Sequence, residues 1–335
     1  MQVPLPCANR DTRSKDWSTN TSRDERNGAI TMPRVIDIHA HLGDIFHYNR
    51  NVTFKQNVQK GGYADPFATL AESGFSKPLI GDSFEEFRVL CSAGHELCWE
   101  NTVENLGKRL DTAGVTYICL YPVLPNTSFE EYLAASKLEG RILPFTSADY
   151  SLPIDEMVKK LERDIERGAR GLKIHPVLQN ISLRDDRVKA AVRVFGDRSL
   201  PVVSHCGAND YYTEGEDFAR TPEYGDVKYF IELVKEFPEY PLIAGHCGGL
   251  MGGEMEILSA ALEGYDHVYV DTTFRSAADI KRMVDFFGRD KVLFGTDTPF
   301  SNHKYAIEAV QDACGADADL ADMILYKNAA QILCI

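Results

Sequence analysis

Two kinds of segment alternate along the chain. Short continuous apolar runs, rich in β-branched residues, recur as "RVIDIHA", "VTYICLYP", "RILPFTSAD", "ARGLKIHP", "PVVSHCG", "PLIAGHCG", "HVYVDTT" and "KVLFGTD". Runs of this kind suit parallel strands covered on both faces. Between them lie amphipathic stretches such as "DVKYFIELVKEF" and "IDEMVKKLERDIERGA". In the second, Ile154, Met157, Val158, Leu161 and Ile165 fall at helical spacing, and Gly168 stands where a helix ends. Strand–helix alternation over eight runs predicts an α/β fold, a (β/α)8 TIM barrel. An open doubly wound sheet is the second choice, because no glycine-rich phosphate loop follows the first run.

One interval breaks the rhythm. Residues 41–114 separate the first two runs, whereas a strand–helix connection is usually a handful of residues. An insertion at about 44–100 would project from the end of the barrel where such folds carry their active sites. The expectation is a largely helical cap that carries Phe46, Tyr48, Tyr63, Phe67 and Trp99 over the mouth, with Tyr48 against the substrate. The alternative is an excursion that forms a dimer. At the other boundary, residues 1–31 are polar and pattern-free and lack the apolar core of a secretory signal. They read as a disordered tail or an over-extended start, with one metal-dependent barrel domain over 32–335.

Composition narrows the function classes. The net charge of −14 argues against a nucleic-acid footprint. No apolar run approaches the roughly 18 residues of a membrane span. Eight scattered cysteines without a C-x-x-C pair read as free thiols, so a cytoplasmic, reducing compartment is expected. The expected partners are a small-molecule substrate and a second copy of the chain, with neither nucleic acid nor membrane.

Five of the nine histidines end predicted strands: His39 and His41 the first, His175 the fourth, His205 the fifth and His246 the sixth. Asp297 ends the eighth. Side chains alternate along a strand, so His39 and His41 share a face, with Ile36, Ile38 and Ala40 opposite, against helices. Lys173 shares a face with His175, His205 is in phase with Val203, and Asp297 with Leu293 and Gly295. All these ionisable groups can then converge at one mouth. Imidazoles and a carboxylate so confined need a cation, and the mixture suits Zn²⁺, Fe²⁺, Mn²⁺ or Co²⁺. His47, His95, His267 and His303 lack this placement and read as ordinary polar residues.

The ordered set "DIHAH", "GLKIHP", "SHCG", "AGHCGG" and "LFGTDTPF" resembles the amidohydrolase superfamily. Over about residues 34–300 the likeness is to its amidohydrolase-2 branch, which holds aromatic-acid decarboxylases, aminocarboxymuconate-semialdehyde decarboxylase, hydrolases and lactonases. The resemblance implies that His39, His41, His205 and Asp297 ligate a divalent metal, most simply zinc. It implies that His246 is a further ligand or a catalytic histidine. Lys173 would be a carboxylated bridge between two ions or, beside a single ion, a contact to a substrate carboxylate. The chemistry implied first is hydrolysis of an amide or lactone of a small carboxylate-bearing substrate. The metal would bring a bound water's pKa from about 15.7 toward about 7, Asp297 would take its proton, and His246 would steady the oxyanion. Arg275 is placed to grip the substrate carboxylate, with His175 also at the substrate, and Thr272 and Thr298 offer hydroxyls. The alternative on the same ligands is non-oxidative decarboxylation, or hydration, of an aromatic or unsaturated acid.

Overall fold

A computed structural model describes residues 34–49, 51–56, 65–75, 84–212, 215–249 and 253–335. The expected tail at 1–31, Tyr63 and Cys7 lie outside the described residues. Nine parallel strand segments form the core: β1 (Ile36–Ala40), β2 (Tyr117–Leu120), β3 (Ile142–Pro144), β4 (Thr146–Ser147), β5 (Leu172–Ile174), β6 (Val202–His205), β7 (Leu242–Gly245), β8 (Val268–Asp271) and β9 (Val292–Leu293). Only Phe145 separates β3 from β4. Its N–H donates to Leu120 O at 3.0 Å, and the next N–H, of Thr146, donates to Gly171 O at 3.0 Å. The third predicted strand is therefore one strand that changes neighbours at Phe145, and the eight apolar runs account for all nine segments. Order runs β1-β2-β3 and then β4 to β9, each segment within the two runs paired with the next. The last joins the first through Ile38 N–H to Phe294 O (2.9 Å), His41 N–H to Thr298 O (2.8 Å) and Asp297 N–H to His39 O (2.7 Å). The chain is a (β/α)8 barrel.

The helices follow from the same pattern. The insertion after β1 holds α1 (Pro66–Glu72) and α2 (Phe84–Trp99), and α3 (Val103–Ala113) leads into β2. Asp65 caps α1 by accepting from Phe67 N–H, with Pro66 at the first position, where its missing N–H costs nothing. Ser128 and Glu131 close a reciprocal capping box on α4 (Phe129–Ala135). Helix α5 (Ile154–Glu166) buries Met157 and Leu161 as expected, but Ile154 at its start is exposed. Helices α6 (Asp186–Gly196), α7 (Val227–Glu236), α8 (Glu254–Ala261) and α9 (Ala277–Phe287) alternate with the later strands. The chain then runs through α10 (His303–Cys314) and α11 (Ala318–Asp322) to α12 (Asn328–Leu333). No helix among the described residues is long and apolar enough to cross a membrane.

The facing of β1 needs correcting. Ile36 and Ile38 face the barrel interior rather than the surrounding layer of helices. They lie in the interior cluster with Val203, Ile243, Leu293 and residues of α12, whereas Ala40 joins the outer cluster. The β1–β2 register is irregular between Asp37 and Ala40. This slip lets His39 turn inward although Ile38 already does. The thiols of Cys91, Cys98, Cys119, Cys206, Cys247 and Cys314 are free and buried.

Candidate active site

The barrel gathers the predicted residues at the C-terminal ends of its strands. His39 is fully buried near the end of β1, and His41 follows it. Lys173 lies on β5 with His175 just beyond, His205 ends β6, His246 follows β7, and Asp297 follows β9. Neighbouring ring centres are 5.7 Å apart for His41–His39, 4.6 Å for His39–His246, 4.8 Å for His246–His205 and 4.1 Å for His205–His175. Two glycines make room for this row. A Cβ on Gly245 would come within 3.1 Å of the His39 ring, and one on Gly295 within 3.0 Å of His39 Cβ. His246 (φ 62°) and Asp297 (φ 59°) both adopt the left-handed conformation that ordinary residues avoid. Strain of this kind persists where the surroundings fix it and clusters at functional sites.

Hydrogen bonds orient the rings. His39 Nδ1 lies 2.8 Å from Asp271 Oδ2, and His41 Nδ1 lies 2.7 Å from Tyr121 O. Because those partners accept, Nε2 of each ring is left to face Asp297 Oδ1, at 3.8 Å from His39 and 3.2 Å from His41. His39, His41 and Asp297 thus bring donor atoms within 4.8 Å of one another. Asp297 Oδ1 is buried without a hydrogen bond of good geometry, as is His246 Nδ1. Buried lone pairs that converge in this way favour a cation, and Lys173 Nζ, 3.0 Å from His39 Nε2, already shares in that role. The donor set therefore fits a divalent metal, and the carboxylate and carbonyl behind the imidazoles are the supports that metal-binding histidines usually have.

The electrostatics agree. Burial, first, holds His39, His175, His205 and His246 well below the usual imidazole range, so they are neutral at pH 7. Burial also brings Lys173 down to about 8. For Asp297, burial works upward, but the neighbouring His41, His39 and Lys173 outweigh it, and the carboxyl lies below its ordinary value.

Not every predicted residue joins the compact set. His205 directs Nδ1 to His246 Nε2 (3.0 Å) and Nε2 to Gly207 O (3.2 Å) and Tyr211 Oη (2.9 Å). It flanks the donor group rather than completing it. Lys173 Nζ lies 3.0 Å from His39 Nε2, beneath the pocket. Arg275 donates from Nε and Nη2 to the carbonyl of His246, and from Nη2 also to those of Cys247, Gly248 and Gly249. Those guanidinium nitrogens brace the run His246–Cys247–Gly248, all at positive φ, instead of facing the pocket. Tyr48 is 63% exposed and does not line the pocket, nor does Trp99. Of the expected cap aromatics, Phe46 and Phe67 line it. Thr272 Oγ1 is taken up with the Gly295 backbone.

The cleft encloses about 660 Å³, including the part open to solvent. Its walls are Ile45, Phe46, Phe67, Leu90, Phe274 and Phe300, and its floor is His41, His175, His205, His246 and Asp297. Among the described residues, no lysine or arginine lines it. Sequence reasoning missed Asp271, which is fully buried and accepts from His39 Nδ1, from His246 N–H (3.1 Å) and from Thr273 N–H (3.1 Å). Its signal was present, an acidic residue closing the apolar run "HVYVD", as Asp297 closes "KVLFGTD".

Comparison with known proteins agrees with the barrel fold. The family model described as amidohydrolase matches residues 124–335. No curated protein matches the sequence. An uncharacterised TIM-barrel protein from Bordetella bronchiseptica superposes with a TM-score of 0.62 at 16% identity, over 90% of this chain and 98% of its own. The 5-carboxyvanillate decarboxylase from Sphingomonas paucimobilis gives 0.59 at 13%, over 90% and 99%. A protein from Acinetobacter baumannii provisionally named a 2-pyrone-4,6-dicarboxylic acid hydrolase gives 0.55 at 14%, over 90% and 99%.

Proposed function

This chain belongs to the amidohydrolase family, and we propose that within it the protein is a metal-dependent decarboxylase of a small aromatic or unsaturated carboxylic acid. The observation that carries this reading is the polarity of the cleft. Its walls are aromatic and aliphatic, and among the described residues no cationic side chain lines them. Arg275, the expected anchor for a remote carboxylate, is engaged with backbone carbonyls. A substrate carboxylate is then best accommodated at the histidine–aspartate floor, with a flat apolar body between Phe46, Phe274 and Phe300. Decarboxylases with this fold, such as the 5-carboxyvanillate enzyme, accord with the reading.

His39, His41 and Asp297 would hold the ion, with His205 or His246 joining on rearrangement, and zinc is the metal this imidazole–carboxylate set suits best. When bound, a divalent cation there supplies positive charge that fixes the substrate's carboxyl end. The proton that replaces the carboxylate comes from solvent by way of Asp297, which delivers it to the carbon that bears the carboxylate. The C–CO₂ bond breaks, its electron pair stays on that carbon, and CO₂ leaves. His246 gives its Nε2 hydrogen to His205 Nδ1 and keeps a lone pair at Nδ1, so it would serve as a further ligand rather than as a donor to the substrate. The apolar walls exclude water, which strengthens each of these interactions.

The test is a paired assay on the metal-reloaded protein. Carboxyl-labelled hydroxybenzoates and unsaturated acids are followed for labelled CO₂, and a panel of lactones and amides is followed for ring opening or cleavage. Release of CO₂ is expected. Turnover confined to lactones or amides would return the protein to the hydrolytic reading favoured by its sequence.

A further inference from the structure

A second group of metal-binding side chains lies at the rim of the mouth, on segments the barrel floor does not use. His47 follows β1, His95 lies on α2, and Glu216 lies between β6 and α7. Their donor atoms all fall within 4.8 Å of one another. His47 Nε2 is 2.9 Å, and His95 Nδ1 4.0 Å, from the same oxygen, Glu216 Oε1. The two rings stand edge to face with centres 4.6 Å apart.

The far nitrogens fix where the lone pairs point. His95 Nε2 lies 2.9 Å from Tyr211 O. A carbonyl only accepts, so Nε2 carries the hydrogen and Nδ1, turned to Glu216, carries the lone pair. His47 Nδ1 lies 3.3 Å from Oδ2 of Asp44, whose side chain is fully buried and whose other oxygen accepts from the N–H of Phe46 and His47. With its hydrogen held there, neutral His47 directs the Nε2 lone pair at Glu216 as well. Two imidazole lone pairs and a carboxylate oxygen then converge. This is the arrangement, including the oxygen behind each imidazole, of a histidine–carboxylate metal site. The competing occupant is a proton on His47.

We propose that His47, His95 and Glu216 form a second divalent-cation site of the zinc type, which clasps the cap to the barrel rim. Three protein ligands leave a fourth position for water, and the partial exposure of His47 and Glu216 (28% and 23%) gives an ion and that water a way in. The site joins the β1 loop, α2 and the segment after β6. Each joint bears on the pocket: Phe46 packs on His95 with ring centres 4.6 Å apart, and Tyr211 reaches His205. An ion at the rim would hold both pocket walls in place. The proposal does not depend on which reaction the floor performs.

The full chain is stripped with chelator and titrated with zinc chloride alone, metal being counted per folded chain. The wild type should take up one equivalent more than either Glu216→Gln or His95→Gln. A His39→Ala, His41→Ala double variant should keep the rim equivalent, and zinc should still raise its melting temperature. Adding His47→Gln to that background should abolish the rise. Asp44→Asn should weaken rim zinc by about 10–100-fold. Equal zinc uptake by the wild type and both single variants would overturn the proposal and leave the cluster as a protonated His47 bonded to Glu216. Should the single variants fail to fold, the absence of any zinc-dependent stabilisation in the His39→Ala, His41→Ala background would overturn it equally.

Discussion

The floor of the barrel and its rim carry two histidine–carboxylate groups built by one device on different scaffolds. On the floor, His39 and His41 direct Nε2 at Asp297 because Asp271 and Tyr121 O hold their other nitrogens. At the rim, His47 and His95 face Glu216 because Asp44 and Tyr211 O hold theirs. The floor group sits on strand ends, where side chains are buried and register fixes direction. Burial there drives His39 toward its neutral form. The rim group sits on a loop, a helix and a second connection, with water nearby. There the hydrogen bond to Asp44 outweighs burial, with Glu216 adding to it, and raises His47 to about 8. A proton can therefore occupy the rim near neutral pH, whereas on the floor it is strongly disfavoured at His39. The difference makes the floor the place for chemistry and the rim a place where metal competes with a proton.

The largest effect that would break this division is expected at Asp297. Asp297→Asn keeps the size and one oxygen but loses the charge. Turnover should fall by about 10²–10⁴-fold, the range for loss of a general acid–base group, while rim zinc is unchanged. Steady-state kinetics beside metal counting tests both halves. Unchanged turnover would remove Asp297 from the chemistry.

Asp271 comes next. It fixes His39 from behind, so Asp271→Asn should cost the floor about 10–100-fold in metal affinity and leave the rim at its wild-type affinity. Competition with a fluorescent chelator measures the two sites separately. A matching loss at the rim would mean that the sites are coupled through the His39–His246–His205–Tyr211 row.

The floor was legible in the sequence because period-two alternation and strand ends together specify direction. Eight apolar runs gave the barrel, and five histidines with Asp297 stood at their ends. The register slip in β1 was not legible; it falls next to Asp37, whose carboxylate is held by side chains from far along the chain. Thr296 and His303 both bond that buried carboxylate, at 2.5 and 2.9 Å, and His303 is distant in sequence. The rim was illegible for a similar reason. His47, His95 and Glu216 have no common period and meet only because the insertion folds back over the mouth. The backbone contacts of Arg275 were not legible either, because sequence places a guanidinium near the mouth but does not show three successive positive-φ residues whose carbonyls it meets.

The cap aromatics supply the smaller effects. Phe67 lines the cleft, half-buried against Phe274 and Phe300 with ring centres 6.0 and 5.8 Å away. Phe67→Ala should raise KM several-fold, with little change in kcat, because it removes a wall and touches no floor residue. Phe46→Ala should do the same and also destabilise the fold. That ring is 5% exposed, and loss of a buried phenylalanine costs about 3–5 kcal/mol. Thermal melting separates the two variants.

The smallest effect is expected at Tyr48, where the sequence pointed to substrate contact. The residue follows Phe46 and His47 closely enough that proximity alone suggested a pocket wall. Chain direction decides otherwise: Phe46 turns into the cleft, His47 turns to Glu216, and Tyr48 is 63% exposed. Substitution of an exposed surface residue usually stays within about 0.5 kcal/mol of wild type. Tyr48→Ala should therefore leave KM, floor metal and melting temperature unchanged within error, in contrast with Phe67→Ala measured beside it. A rise in KM at Tyr48 equal to that at Phe67 would show that the cap closes further when substrate binds, bringing Tyr48 onto it. The comparison would then shift from two fixed clusters to one fixed floor beneath a rim that moves.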